Sequence, residues 1–293
     1  MAGILQTLIS GLVLGSIYAT MAMGLTLIYG GLRMLNLAQG ALFVIGGYAG
    51  WWTSAQLGLN PFLGLLAAFV VAGLAGVAIQ LLVVRRLIRR PGWEINTIVA
   101  TLGLGILLEN VALVTFGADN KNQPPLIGGE IRLPFDVIVT DETILIAVVA
   151  VALLGAMAIF LRRSRHGMAI RAIAQNMEAA SLMGISVEKM YIVIMGLSAA
   201  LGGVAGVLLS AFYFVSPTIG DTYLLKGLIV TIFGGLGSVK GTIYAAYAVG
   251  LLEAFVSLGL GVRWSLPALF LTIIVVLVVR PAGLFGVREE TRL

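Results

Sequence analysis

The chain has no cysteine, so neither a disulfide framework nor a thiolate metal site is open to it. Its one histidine, His166, sits among arginines, and no H-E-x-x-H or G-x-S-x-G pattern occurs, so zinc and serine hydrolase chemistry find no residues here. No metal site or catalytic set is expected. The stretch GGLGSVKGT (234–242) fails the order G-x4-G-K-[ST], because Lys240 follows valine and precedes glycine, so no phosphate cradle is expected either. Charge is also scarce: 11% of residues are charged, against about 25% in a soluble domain. No remaining segment is long enough for a globular head.

What the chain has in quantity is hydrocarbon. Hydrophobic residues make up 60% of it, with 38 glycines, and mean hydropathy is +1.07. These values describe an all-α integral membrane protein, a polytopic bundle of eight or nine transmembrane helices forming one domain over 1–293. The opening MAGILQTLISGLVLGSIYATMAMGLTLIY lacks a basic leader and is too long for a signal-peptide core, so it is expected to be an uncleaved span. A crossing helix needs about 20 apolar residues. Candidates run 4–29, 34–55, 62–84, 95–116, 142–161, 190–215, 241–260 and 264–280. LLKGLIVTIFGGLG (224–237) is either a ninth span or a half-helix.

Lys and Arg concentrate on the cytosolic side of membrane helices. Arg85, Arg86, Arg89 and Arg90 follow the third candidate; Arg162, Arg163 and Arg165 follow the fifth; Arg280, Arg288 and Arg292 come last. The loop at 117–141 has acids at Asp119, Glu130, Asp136 and Asp141 against Lys121 and Arg132. The N-terminus and this loop are therefore expected outside, the basic loops and C-terminus in the cytosol. Opposite termini require an odd count, which favours nine.

Small residues recur every fourth position at Gly11, Gly15 and Ala19, at Gly46, Gly50 and Ser54, and at Ser198, Gly202, Gly206 and Ser210. Such ridges let helices approach backbone to backbone. Between two spans lies the polar stretch RRSRHGMAIRAIAQNMEAASLMGIS, within a cytosolic loop of about 162–188. Residues 168–183 lack Gly and Pro, which predicts one helix of about four turns. Gly184 is placed to stop it, and Ser186 with Glu188 to start the next. Ile170, Ile173, Met177 and Ala180 form a narrow apolar strip beside Arg171, Gln175 and Glu178. Such a helix suits a groove on another protein, or else serves as a solvated or lipid-lying connector.

NMEAASLMGIS (176–186) resembles the cytosolic "EAA" loop of bacterial ABC importer permeases. LRMLNLAQGALFVIGGYAG (32–50), LIVTIFGGLGSVKGTIYAA (228–246) and VVRPAGLFG (278–286) resemble segments of the H-type permeases for branched-chain amino acids, and the likeness covers essentially the whole chain. The longer ending G-x9-I-x-L-P of the wider importer motif is absent, as in the branched-chain group. The resemblance implies a permease subunit in the bacterial inner membrane, paired with a second, homologous permease. It further implies two cytosolic ATPases, which bind the ATP and magnesium that this chain does not, and an extracytoplasmic solute-binding protein. On that reading 168–184 is the coupling helix, and Glu178, Ala179, Ala180 and Gly184, with Arg171 beside them, meet the ATPase.

Ionisable residues inside spans are candidates for function. Glu253 lies well inside 241–260 and Glu109 toward one end of 95–116. Asn36 and Gln39, with Gly40, Gly46 and Gly47, fall in the second-span signature; these glycines are expected to permit an irregular helix beside the translocation pathway, with the amides offering hydrogen bonds. The alternative is an ion-coupled secondary transporter of small polar solutes, which Glu253 and a half-helix at 224–237 would suit. An ordered cytosolic helix speaks against it.

Overall fold

The computed structural model describes residues 2–125, 127–133 and 137–286. Asp136, Arg288 and Arg292, which entered the charge reading, lie outside the described residues.

The chain folds as a helical bundle. It opens with α1 (Ala2–Leu32), α2 (Gln39–Trp51), α3 (Pro61–Ile79), the short α4 (Arg85–Leu87) and α5 (Trp93–Phe116). Next come α6 (Asp141–Arg163), α7 (Arg165–Gln175), α8 (Met177–Leu182), α9 (Val187–Phe212), α10 (Ile219–Gly234), α11 (Val239–Gly259) and α12 (Ser265–Val279). Among the described residues seven helices are long and apolar enough to cross a membrane. The two other apolar segments are shorter. α2 has 13 residues and is lengthened by a π-helical turn over Trp52–Gln56. α10 has 16 residues, about 24 Å at 1.5 Å per residue, against a hydrocarbon core of about 30 Å. It starts before the apolar window at 224–237 and takes in Asp221 and Lys226.

Local chemistry sets the helix ends. Asn60 accepts a hydrogen bond from Phe62 N at 2.9 Å, with Pro61 in the first turn of α3. α6 begins with Asp141 and Glu142 and ends with Arg162 and Arg163, charges that complement its dipole at both ends. An antiparallel hairpin, β1 (Glu130–Leu133) with β2 (Val137–Thr140), lies between α5 and α6, with Glu130 opposite Thr140. The span reading did not anticipate this hairpin.

α1 and α9 form the core. The central windows of these helices are 94% and 78% buried, against 17% for α5 and α12. α1 packs on α11, α9, α6 and α10, while α9 also takes α2 and α3. The small-residue ridges are where these crossings occur. Gly46 meets the backbone of Gly203, and a methyl group on Gly40 would lie 2.6 Å from Gly220 O. α2 is a regular helix through these positions. The irregularity expected around Gly40, Gly46 and Gly47 is therefore absent. These glycines serve close approach to α9 and α10.

The charged loops gather on one face. Glu188, at the start of α9, pairs with Arg85 and lies 3.3 Å from Arg89. Arg33 donates to Ala174 O of α7 at 3.4 Å. On the same face Leu284 N and Phe285 N donate to Phe233 O and Gly234 O at the end of α10. At the opposite end Lys121 bridges to Val215, and Gln123 joins Ser54 of the π-helical turn after α2 to Ser210 of α9. α10 starts with Gly220 packed on Gly40 and Val44 of α2 and ends at the turn that holds Leu284 and Phe285.

Candidate functional site

The polar loop differs from its expected form. The single helix foreseen over 168–183 is broken at Asn176, whose backbone is extended (φ −156°, ψ 108°). Its side chain accepts from Ala179 N at 2.9 Å and so starts α8 as a cap. An amide that can close a new helix competes with continuing the old one. Ser164 opens α7 in the same way, accepting from Gly167 N at 2.8 Å.

Gly184 stops α8, with φ +82°. Gly184 N donates to Ser181 O and Ile185 N to Ala180 O, the paired bonds of a Schellman turn. Ser186 stands before α9 but makes no side-chain cap bond.

Burial sorts the strip. Ile170, Ile173 and Ala180 pack into the chain's own core, whereas Met177 is 52% exposed. Arg171, Glu178, Ala179 and Gly184 are exposed, and Arg171 donates to Arg162 O at 3.4 Å. Ala180, expected at the partner surface, instead faces inward, because α8 lies against the start of α9. The residues that project are Leu182 and Met183, at 83% and 84% exposure. The sequence reading missed them. Their one signal was an apolar pair standing immediately before a helix-stopping glycine.

The second-span residues lie inside the chain. Asn36 is fully buried; its Oδ1 accepts from Ala38 N at 3.1 Å, and its Nδ2 has no partner. Gln39 Nε2 donates to Ser198 O at 3.0 Å, and Ser198 Oγ returns a bond to Gln39 Oε1 at 3.3 Å. This pair fastens the start of α2 to the middle of α9.

Glu253 on α11 is also buried, and it is not alone. Lys226 Nζ of α10 lies 2.7 Å from Oε1, and the Tyr18 hydroxyl of α1 donates to Oε2 at 2.7 Å. Nζ donates as well to the Tyr18 hydroxyl at 3.1 Å. It stands 4.8 Å and 5.4 Å from the ring centroids of Tyr223 and Tyr18. Each charge thus has its counter-charge and the Tyr18 phenol in a low-dielectric core, and the ammonium has two π-faces besides. Three helices are tied at one point. Lys226 went unnoticed because its segment was read only for length, although a lysine within an apolar run is itself a signal.

Comparison with known proteins places this arrangement. A family model described as the permease component of branched-chain amino acid transport systems matches residues 7–279. The permease protein LivH of the high-affinity branched-chain amino acid transport system of Escherichia coli is 31% identical, covering 96% of this chain and 95% of that protein. BraD of Pseudomonas aeruginosa, likewise a high-affinity branched-chain amino acid transport permease, is 32% identical with the same coverage. A probable LivH of Methanocaldococcus jannaschii is 28% identical over 94% of this chain and 90% of its own. Among solved structures, PsaBC from Streptococcus pneumoniae in complex with Fab shares the fold, with a TM-score of 0.53 and 18% identity over 94% of this chain and 91% of that one. The chain belongs to the family of permease components of branched-chain amino acid transport systems.

Proposed function

We propose that this chain is the membrane permease subunit of a binding-protein-dependent ABC importer, and that its cargo is a branched-chain amino acid. The observation that carries this reading is a family match along almost the whole chain, joined to an exposed two-helix element on the arginine-rich face. In this reading two cytosolic ATPases bind ATP and magnesium and seat α7–α8. A second homologous permease completes the pathway, and an extracytoplasmic binding protein delivers the solute. This chain itself hydrolyses nothing.

The arginine face is cytosolic in this proposal and the hairpin end faces outward, in a multi-pass protein of the bacterial inner membrane. Arg171, Glu178, Ala179 and Gly184 frame the ATPase contact, Leu182 and Met183 fill the partner's groove, and Ala180 holds α8 against α9 from within. Asn36, Gln39, Gly40, Gly46 and Gly47 hold α2 in place beside the translocation pathway, and Glu253 with Lys226 fixes α10 there. An ion-coupled carrier is not favoured, because Glu253 already has its counter-charge within the chain.

The test is uptake of labelled leucine by proteoliposomes. Vesicles holding this chain, the second permease and the ATPases should accumulate leucine only with binding protein outside and ATP inside. Accumulation by this chain alone under an ion gradient would replace the proposal with the secondary-transporter reading.

A further inference from the structure

The last turn of α1 is a meeting point of distant segments. Gly31 lies against Ile194 of α9, and a methyl group on Gly30 would stand 3.8 Å from the Cα of Gly237, in the turn between α10 and α11. The polar loop reaches the same turn. α7 packs on α6 and α9, its neighbours in sequence, and on α1, which is remote.

Arg33 closes α1 with φ +55°, and among the described residues it is the one non-glycine residue in the left-handed region. Its N–H donates to Tyr29 O at 3.0 Å, the single bond of a left-handed helix cap, which asks nothing of a side chain. Glycine fills such a position without a Cβ clash, so an arginine here carries a backbone cost. The exposed guanidinium crosses to α7, where Nη2 donates to Ala174 O at 3.4 Å. That carbonyl is among the last four of α7, which have no partner within the helix and form the negative end of its dipole. Two residues later the chain breaks at Asn176 into α8. An arginine that only marked the cytosolic side would serve anywhere in the loop and would need no left-handed backbone.

We propose that Arg33 is a positioning residue that ties the α7–α8 element to α1, so that displacement of this element by the ATPase moves α1. The assignment rests on the importer reading above. α1 is suited to receive such a movement, because α6, α9, α10 and α11 all pack on it and its Tyr18 holds Glu253. Energetic coupling between distant sites runs through bonds and packed rigid elements of this kind. Arg33 joins α7 to the centre of the bundle directly, besides the chain connections through α6 and α9.

The test uses vesicles holding this chain, the second permease and the ATPases, with binding protein outside and ATP inside. Arg33→Gly removes the guanidinium and suits the left-handed backbone. The variant should therefore unfold at no lower temperature than wild type and should retain the ATPase on purification. Leucine taken up per ATP hydrolysed should nevertheless fall about fivefold, the factor that one hydrogen bond of ordinary strength represents. Arg33→Lys, which keeps a charged donor, should recover part of that ratio. A wild-type ratio of uptake to hydrolysis in Arg33→Gly would overturn the proposal. A lowered unfolding temperature or lost ATPase binding in Arg33→Gly would also overturn it, by making the arginine a structural or docking group. Wild-type vesicles that take up no leucine with ATP would instead overturn the importer reading, and the role of Arg33 with it.

Discussion

Lys226 and Glu253 meet at 2.7 Å from adjacent helices, and Tyr18 of α1 closes the triangle from 235 positions away. Removing one member of a buried pair leaves the other charge uncompensated, a cost of about 3–5 kcal/mol. Lys226→Met should therefore destabilise the protein by about that much in denaturant unfolding from detergent. Joint replacement by Met at 226 and Leu at 253 should recover most of the loss. A Lys226→Met protein as stable as wild type would show that the pair does not hold α10.

The exposed end of α8 should carry the contact with the ATPase. Leu182→Asp with Met183→Asp should abolish co-purification of the ATPase and leave the permease's thermal stability unchanged, because both side chains project from the fold. Ala180→Trp should instead lower stability, since that position is buried against α9. Normal ATPase binding by the double aspartate variant would reduce α8 to a connector.

Orientation can be read from added thiols, because the chain has none of its own. A cysteine at Asn122 should react with an impermeant reagent applied to intact cells, and one at Gln175 only after lysis. Both positions are exposed, so access depends on the side of the membrane alone. The opposite pattern would invert the topology.

Two glycines with contrasting surroundings test the seams. Gly46→Ala drives a methyl group into Gly203 and should cost about 1–3 kcal/mol through overpacking. Gly103 on α5 has nothing within 4 Å, so Gly103→Ala should be neutral or stabilising by up to about 1 kcal/mol through helix propensity. Equal effects would mean that helix propensity, not the α2–α9 crossing, decides both.

The apolar segments alone determined that the chain is a helical membrane bundle, because a bilayer demands runs of about 20 apolar residues. That signal is local, so it was legible. So was Gly184, where a left-handed turn needs a residue without a Cβ. The helix break at Asn176 had a visible candidate in the asparagine itself, but helix continuation competes with capping there by little. What α8 packs against settled it, and the same packing turned Ala180 inward and left Leu182 and Met183 outward. The partner of Glu253 was decided only by the tertiary structure. Which lysine and which tyrosine reach a carboxylate depends on how α1, α10 and α11 cross, and those crossings are set by glycine seams between segments far apart in the chain. The same holds for Tyr48 and Phe116, which carry no sequence mark of neighbourhood; only the docking of α2 against α5 stacks them.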